Sequence, residues 1–165
     1  MKLKYILYIM LALPLLWSCN NEDDLEEIFA SGTWYVVNYF GKANWDRGDG
    51  EPMYKPIDSE GNIDKEGRKA LETIHAFSLT FKADGTFSGS MERGDFSGTW
   101  QADGKERTIR LRVSSNPNTS GYSLSRTYIE TLENAAFYRG DSNYIMLAPE
   151  DKKTYIQFTH KPATE

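Results

Sequence analysis

The chain has 165 residues, 26% of them charged and 13% aromatic, with a formal charge of −5, one cysteine and two histidines. The acidic balance leaves no electrostatic footprint for nucleic acid, and a single thiol excludes an intramolecular disulfide framework. His75 and His160 have no ligand or base partner at i+2, i+3 or i+4, and no nucleophile elbow or phosphate loop is present, so neither catalysis, a metal nor a cofactor is expected.

Residues 1–18 read as a secretory signal peptide. Lys2 and Lys4 start it, Tyr5 to Trp17 form an apolar core too short to span a membrane, and Ser18-Cys19 is a small-residue cleavage point. Leu16-Trp17-Ser18-Cys19 resembles a bacterial lipobox. That resemblance implies that Cys19 is diacylated and becomes the mature N-terminus. The mature chain of 147 residues then carries 17 basic and 24 acidic residues, a formal charge of −7, and its length suits one domain with one core. Such acidity disfavours broad contact with anionic headgroups, so membrane attachment rests on the acyl chains.

Residues 19–30 form an acidic tether, with Asn20 to Glu27 (NNEDDLEE) in solvent. Glu22, Asp23 and Asp24 resemble the export signal of Bacteroidetes surface lipoproteins, which implies an outer-membrane location exposed at the cell surface. Leu25, Ile28 and Phe29 are expected to form one apolar turn capping the end of the fold.

The domain proper spans 31–161. Its first strand, 34–40, is opened by Ser31-Gly32-Thr33-Trp34. Gly41 to Ile63 is rich in Gly, Pro, Asp and Asn and reads as loop. Asp64 to His75 reads as a short helix capped by Asp64, with Ala70, Leu71 and Ile74 on one face. From Phe77 to Val113 apolar residues recur at every second position, in four runs broken by Ala83-Asp84-Gly85, Arg93-Gly94-Asp95 and Ala102-Asp103-Gly104. A period of two with Asp-Gly turns is an antiparallel meander, apolar on one face and wet on the other. Arg110 and Arg112 fall on the wet face. After a loop at 114–121, Tyr122 to Leu132 reads as a long strand of mixed parity. Phe137-Tyr138 and Tyr144 to Leu147 flank a turn, and Ile156, Phe158 and His160 share a face of the last strand.

The tally is about eight strands: 34–40, 76–82, 86–92, 96–101, 107–113, 122–132, 144–148 and 154–160. An all-β, up-and-down antiparallel β-barrel with one short helix after the first strand is the economical topology, because closure removes exposed edges. A β-sandwich is the alternative. Gly32-Thr33-Trp34 at the first strand, the recurrence of Ser-Gly-Thr-Trp at 97–100, and Phe81 to Phe87 followed by Gly98 to Trp100 resemble the small bacterial lipocalin-like lipoproteins. The resemblance implies a lipocalin-like barrel in which the connection after the first strand forms a lid. The arginine that lipocalins set over the tryptophan near the final strand has no counterpart in Tyr155 to His160.

An eight-stranded barrel is either filled by side chains or holds one small ligand. Trp34, Phe77, Phe81, Phe87, Phe96, Trp100 and Phe158 are the candidate interior. Arg126, Tyr128 and Glu130 join them if that face of 122–132 points inward, the two charges then needing partners or a polar ligand head. With Thr127, Ile129 and Thr131 inward, the charges lie in water. A second candidate is the tripeptide Arg-Gly-Asp, which occurs as Arg47-Gly48-Asp49, Arg93-Gly94-Asp95 and Arg139-Gly140-Asp141, at intervals of 46 residues. It resembles the integrin-recognition motif, and it also suits tight turns. The expected function is a non-catalytic binding module holding a small, partly apolar ligand. The alternative is adhesion to a surface protein or host receptor through these loops.

Overall fold

The computed structural model describes residues 24–115 and 119–162. The leader, Cys19 and the acidic residues up to Asp23 lie outside the described residues. In chain order the elements are α1 (Leu25–Phe29), β1 (Thr33–Asn44), β2 (Asp49–Pro52), α2 (Lys65–Ile74), β3 (Ser78–Phe81), β4 (Thr86–Met91), β5 (Gly94–Asp103) and β6 (Thr108–Val113), then α3 (Ser123–Glu133), β7 (Phe137–Gly140), β8 (Tyr144–Ala148) and β9 (Tyr155–Thr159).

Every strand pairing is antiparallel. β1, then β3 through β9 in sequence order, follow one another around the sheet, and β9 pairs back onto β1. Eight strands therefore close a barrel-like ring, and β2 extends the far half of β1. One sheet closing on itself is not the two-layered sandwich. Apolar parity sets the register: Trp34 opposes Leu79, Phe81 opposes Phe87, and Trp100 opposes Leu111. Polar partners meet on the outside, as in the Ser78–Ser90 hydroxyl pair at 2.8 Å and the Thr33–Thr80 pair at 3.0 Å.

Two stretches depart from the sequence expectation. The stretch 122–132 lies not in a strand but, from Ser123 on, in the helix α3. Its buried side chains are Ser125, Tyr128 and Leu132, spaced three and four apart, which is helical periodicity. The strand position it vacates is taken by β7, which pairs with β6 through Thr108↔Phe137 alone. Residues 41–52 form a hairpin, because β1 runs on to Asn44 and β2 returns beside it. The helix after the first strand forms where expected. Asp64 caps α2 by accepting from the backbone N–H groups of Glu66 at 3.1 Å and Gly67 at 2.9 Å. Gly67, a weak helix former, is required for space, since a Cβ there would lie 2.2 Å from the Lys55 carbonyl oxygen.

The ends of the ring are plugged from outside the sheet. At one end α1, capped by Asp24, inserts Phe29, whose ring lies 5.0 Å from Phe81, 5.2 Å from Trp100 and 5.0 Å from Tyr138. At the other end α3 inserts Tyr128, 5.1 Å from Phe77, 5.6 Å from Phe96 and 6.4 Å from Phe158. α2 packs beside α3 and β1 at this second end.

Candidate functional site

The expected interior residues do come together. Trp34, Phe77, Phe81, Phe87, Phe96, Trp100, Tyr128 and Phe158 are all buried in one core cluster. They fill the ring with stacked and edge-to-face contacts, which leaves the space to side chains. Tyr128 reaches this cluster from a helix, and its hydroxyl donates to the Ser78 carbonyl at 3.1 Å. Arg126 and Glu130 do not join it. Both lie on the exposed side of α3, because residues two apart on a helix diverge by more than half a turn from the buried stripe through Tyr128.

Tyr155 to His160 holds no arginine, and it is His160 that lies over Trp34, with ring centroids 3.7 Å apart. Its Nδ1 donates to the Thr33 carbonyl at 2.9 Å, and its Nε2 meets the Ser31 hydroxyl at 2.9 Å. Trp34 itself donates from Nε1 to the Phe29 carbonyl at 3.0 Å. The last strand, the first strand and α1 are thus locked at one end of the ring. His75 Nε2 donates to the Val37 carbonyl at 3.0 Å and ties α2 to β1.

Near the α2 and α3 end sits a polar cluster that strand parity did not disclose. Buried Asn38 donates to the Tyr54 carbonyl at 2.8 Å and accepts from Tyr39 N at 2.8 Å and Tyr54 N at 3.3 Å. A bulge in β1 between Val36 and Asn38 turns Tyr39 inward opposite Ile156. The Tyr39 hydroxyl is buried with no hydrogen-bond partner. Burial above all, and then nearby Tyr54, push its ionisation far above the ordinary phenol range. Burial, and then Tyr39, do the same to Tyr128. Raised folded values mean that stability is fully present below about pH 10 and falls above it, as the unfolded chain ionises first. Alkaline titration followed by phenolate absorbance should therefore show these two tyrosines ionising only with unfolding. Tyr39→Phe should raise stability at neutral pH by about 1 kcal/mol and soften the alkaline loss; a less stable variant would show that the hydroxyl has a partner.

The three Arg-Gly-Asp tripeptides all lie at turns, each with its glycine at positive φ: +71° at Gly48, +119° at Gly94 and +143° at Gly140. Their arginines are engaged within the molecule. Arg47 pairs with Asp49 at 3.3 Å, Arg93 lies 5.2 Å over the Tyr122 ring, and Arg139 Nη1 donates to the carbonyls of Trp45 at 2.5 Å and Asp46 at 2.8 Å. Asp95 is exposed. Asp141 accepts from the backbone N–H of Asn143 at 2.7 Å, and this bond leads the causes that hold its carboxyl below the usual range.

Among the described residues, two hollows stand out on the outside of the ring. The larger, about 1490 Å³, lies between α3, the outer face of β5 and β6, and the β8–β9 turn. Arg110 and Arg112 line one wall, and Glu130, Glu133, Glu150 and Asp151 line the other. It exists because β6 is paired to β7 at one position only, leaving α3 to flank the rest of that strand. The smaller, about 370 Å³, lies beside β7.

A family described as a domain of unknown function, DUF4847, matches residues 20–160. The crystal structure of a DUF4847 family protein from Bacteroides vulgatus ATCC 8482 is similar over 85% of this chain and 99% of that one, at 54% identity and a TM-score of 0.79. No curated protein matches the chain at a significant level.

Proposed function

The chain belongs to the DUF4847 family, and from that premise we propose a lipocalin-like, non-catalytic binding module that recognises its ligand on its outer face. Its anchor is the acylated Cys19, which holds it at the surface of the outer membrane. One observation carries the choice of face: aromatic rings fill the inside of the ring from end to end, whereas the outer face holds open hollows. The lipocalin-like reading is supported by Trp34 at the start of β1, by α1 plugging that end, and by His160 in the covering position that lipocalins give to arginine. Both histidines spend a ring nitrogen on a backbone carbonyl, which favours structural over catalytic roles. Adhesion through Arg-Gly-Asp is the weaker reading, because each arginine already has a partner within the fold.

Titration with phenylnaphthylamine, an uncharged apolar dye, tests the choice of face. No saturable fluorescence gain is expected with the mature chain, since buried aromatic side chains occupy the interior. A saturable gain would return the ligand to the interior. Labelling with palmitate should mark the full chain and be lost in Cys19→Ala.

A further inference from the structure

We propose that the hollow beside β7 is a binding site for a small acid whose carboxylate is carried on a ring, such as a uronic or an aromatic acid. This deepens the outer-face reading and rests on it. Four segments far apart in sequence build the hollow: the β1–β2 turn with Trp45, the β5–β6 turn with Arg107, β7 with Phe137 and Arg139, and the β8–β9 turn with Lys152.

The backbone is the first argument. Arg107 and Lys152 each sit at φ +53°, in the left-handed region that glycine or asparagine enters with least strain. Two separate hairpin turns thus carry a cation where turn chemistry asks for Gly or Asn, and both line the same hollow. Strain of this kind persists where the side chain has a use. The third such residue, Lys42, does not line the hollow and is paired with Glu51 at 2.9 Å.

The side chains are the second argument. Lys152 Nζ is held 3.7 Å from the Phe137 ring centroid. Arg139 is fixed by its two bonds to the carbonyls of Trp45 and Asp46. Gly48 leaves room for it, since a Cβ there would lie 3.3 Å from the guanidinium carbon. The first and third Arg-Gly-Asp turns therefore meet here, with Arg139 serving as a wall of the hollow. Three cations face two carboxylates, Asp46 and Glu106, in a chain whose overall formal charge is −5. A carboxylate suits this net positive lining, the Trp45 ring adds an apolar wall for a flat or chair-shaped body, and about 370 Å³ accommodates one ring with its substituents.

The test titrates the mature chain with sodium glucuronate and sodium benzoate, following tryptophan emission and heat. Sodium acetate serves as the acid without a ring, and glucose as the ring without an acid. Saturable binding of at least one ring acid is expected, with acetate weaker and glucose silent; the stronger ring acid identifies the body. Lys152→Gly and Arg107→Gly should each weaken binding by about tenfold, the loss of one charge-assisted contact. They should leave the chain folded, because glycine takes these angles freely. Lys152→Asn and Arg107→Asn provide the same readout should glycine loosen a turn. The proposal is overturned if neither ring acid binds saturably, or if folded variants bind as the parent does. Either failure, with the apolar dye still silent, leaves the module reading standing and removes only this ligand.

Discussion

Tyr128→Ala is expected to destabilise the domain by about 3–5 kcal/mol, the usual loss for truncating a large buried aromatic. Tyr128 is fully buried, touches three rings of the core and donates to the Ser78 carbonyl. It is also the side chain by which α3 reaches into the ring. Tyr128→Phe keeps the ring and removes only the hydrogen bond, at a cost of about 1 kcal/mol. Urea titration of both variants separates packing from hydrogen bonding. Against a total stability of about 5–15 kcal/mol for an ordinary domain, the alanine variant loses a large fraction, and its cavity should admit the apolar dye that the parent excludes. A loss below about 1 kcal/mol in Tyr128→Ala would mean that α3 is not a plug.

The second large effect concerns glycines that face inward on the meander. In the β4–β5 pair, Phe87 lies opposite Gly98, and Gly89 lies opposite Phe96. Each phenylalanine ring lies over the glycine across from it. A Cβ at Gly98 would sit 2.1 Å from the Arg112 carbonyl oxygen and 2.5 Å from Cζ of Phe87, and one at Gly89 would sit 2.4 Å from Cζ of Phe96. Gly98→Ala should therefore cost at least about 1–3 kcal/mol, the range for overpacking a filled core, and more because backbone must move. Thermal unfolding measures it. Adding Phe87→Leu should recover only part of the loss, since it relieves the ring contact and leaves the contact with Arg112. Full recovery, or none, would show that a single contact carries the whole effect.

How much of this was legible beforehand follows from the kind of signal each element emits. The meander was readable because alternation survives Gly89 and Gly98, whose empty positions keep the parity. α3 was not, because Thr127, Ile129 and Thr131 mimic a half-buried strand, while the deciding triplet Ser125, Tyr128 and Leu132 contains only one aliphatic residue. With α3 taken as a strand, Arg126 and Glu130 could fall on an inward face. As a helix it puts them in water. The β1–β2 hairpin was hidden by Gly41, Gly50 and Pro52, which read as loop although Gly50 is needed where a Cβ would press on Tyr155 and Phe40. The place of His160 over Trp34 was not legible because the resemblance points to an arginine there, whereas a flat imidazole ring covers the indole as well. The hollow beside β7 could not be seen at all, since four distant segments make it. Its only local trace is a cation at the last position of two turns, after Asp-Gly-Lys-Glu and after Pro-Glu-Asp.

The pairing of β1 with β9 has a kinetic side. Each hairpin of the meander needs only a short loop to close, so those contacts can form early. The ring cannot close until the last strand finds the first, a search across nearly the whole domain, and such distant contacts slow folding. Until then β1 and β9 each present a bare edge to other chains. A chain cut short after β8 would keep most of its hairpins and leave β1 and β8 bare for good, so loss of about a dozen C-terminal residues turns a closed protein into a self-associating one.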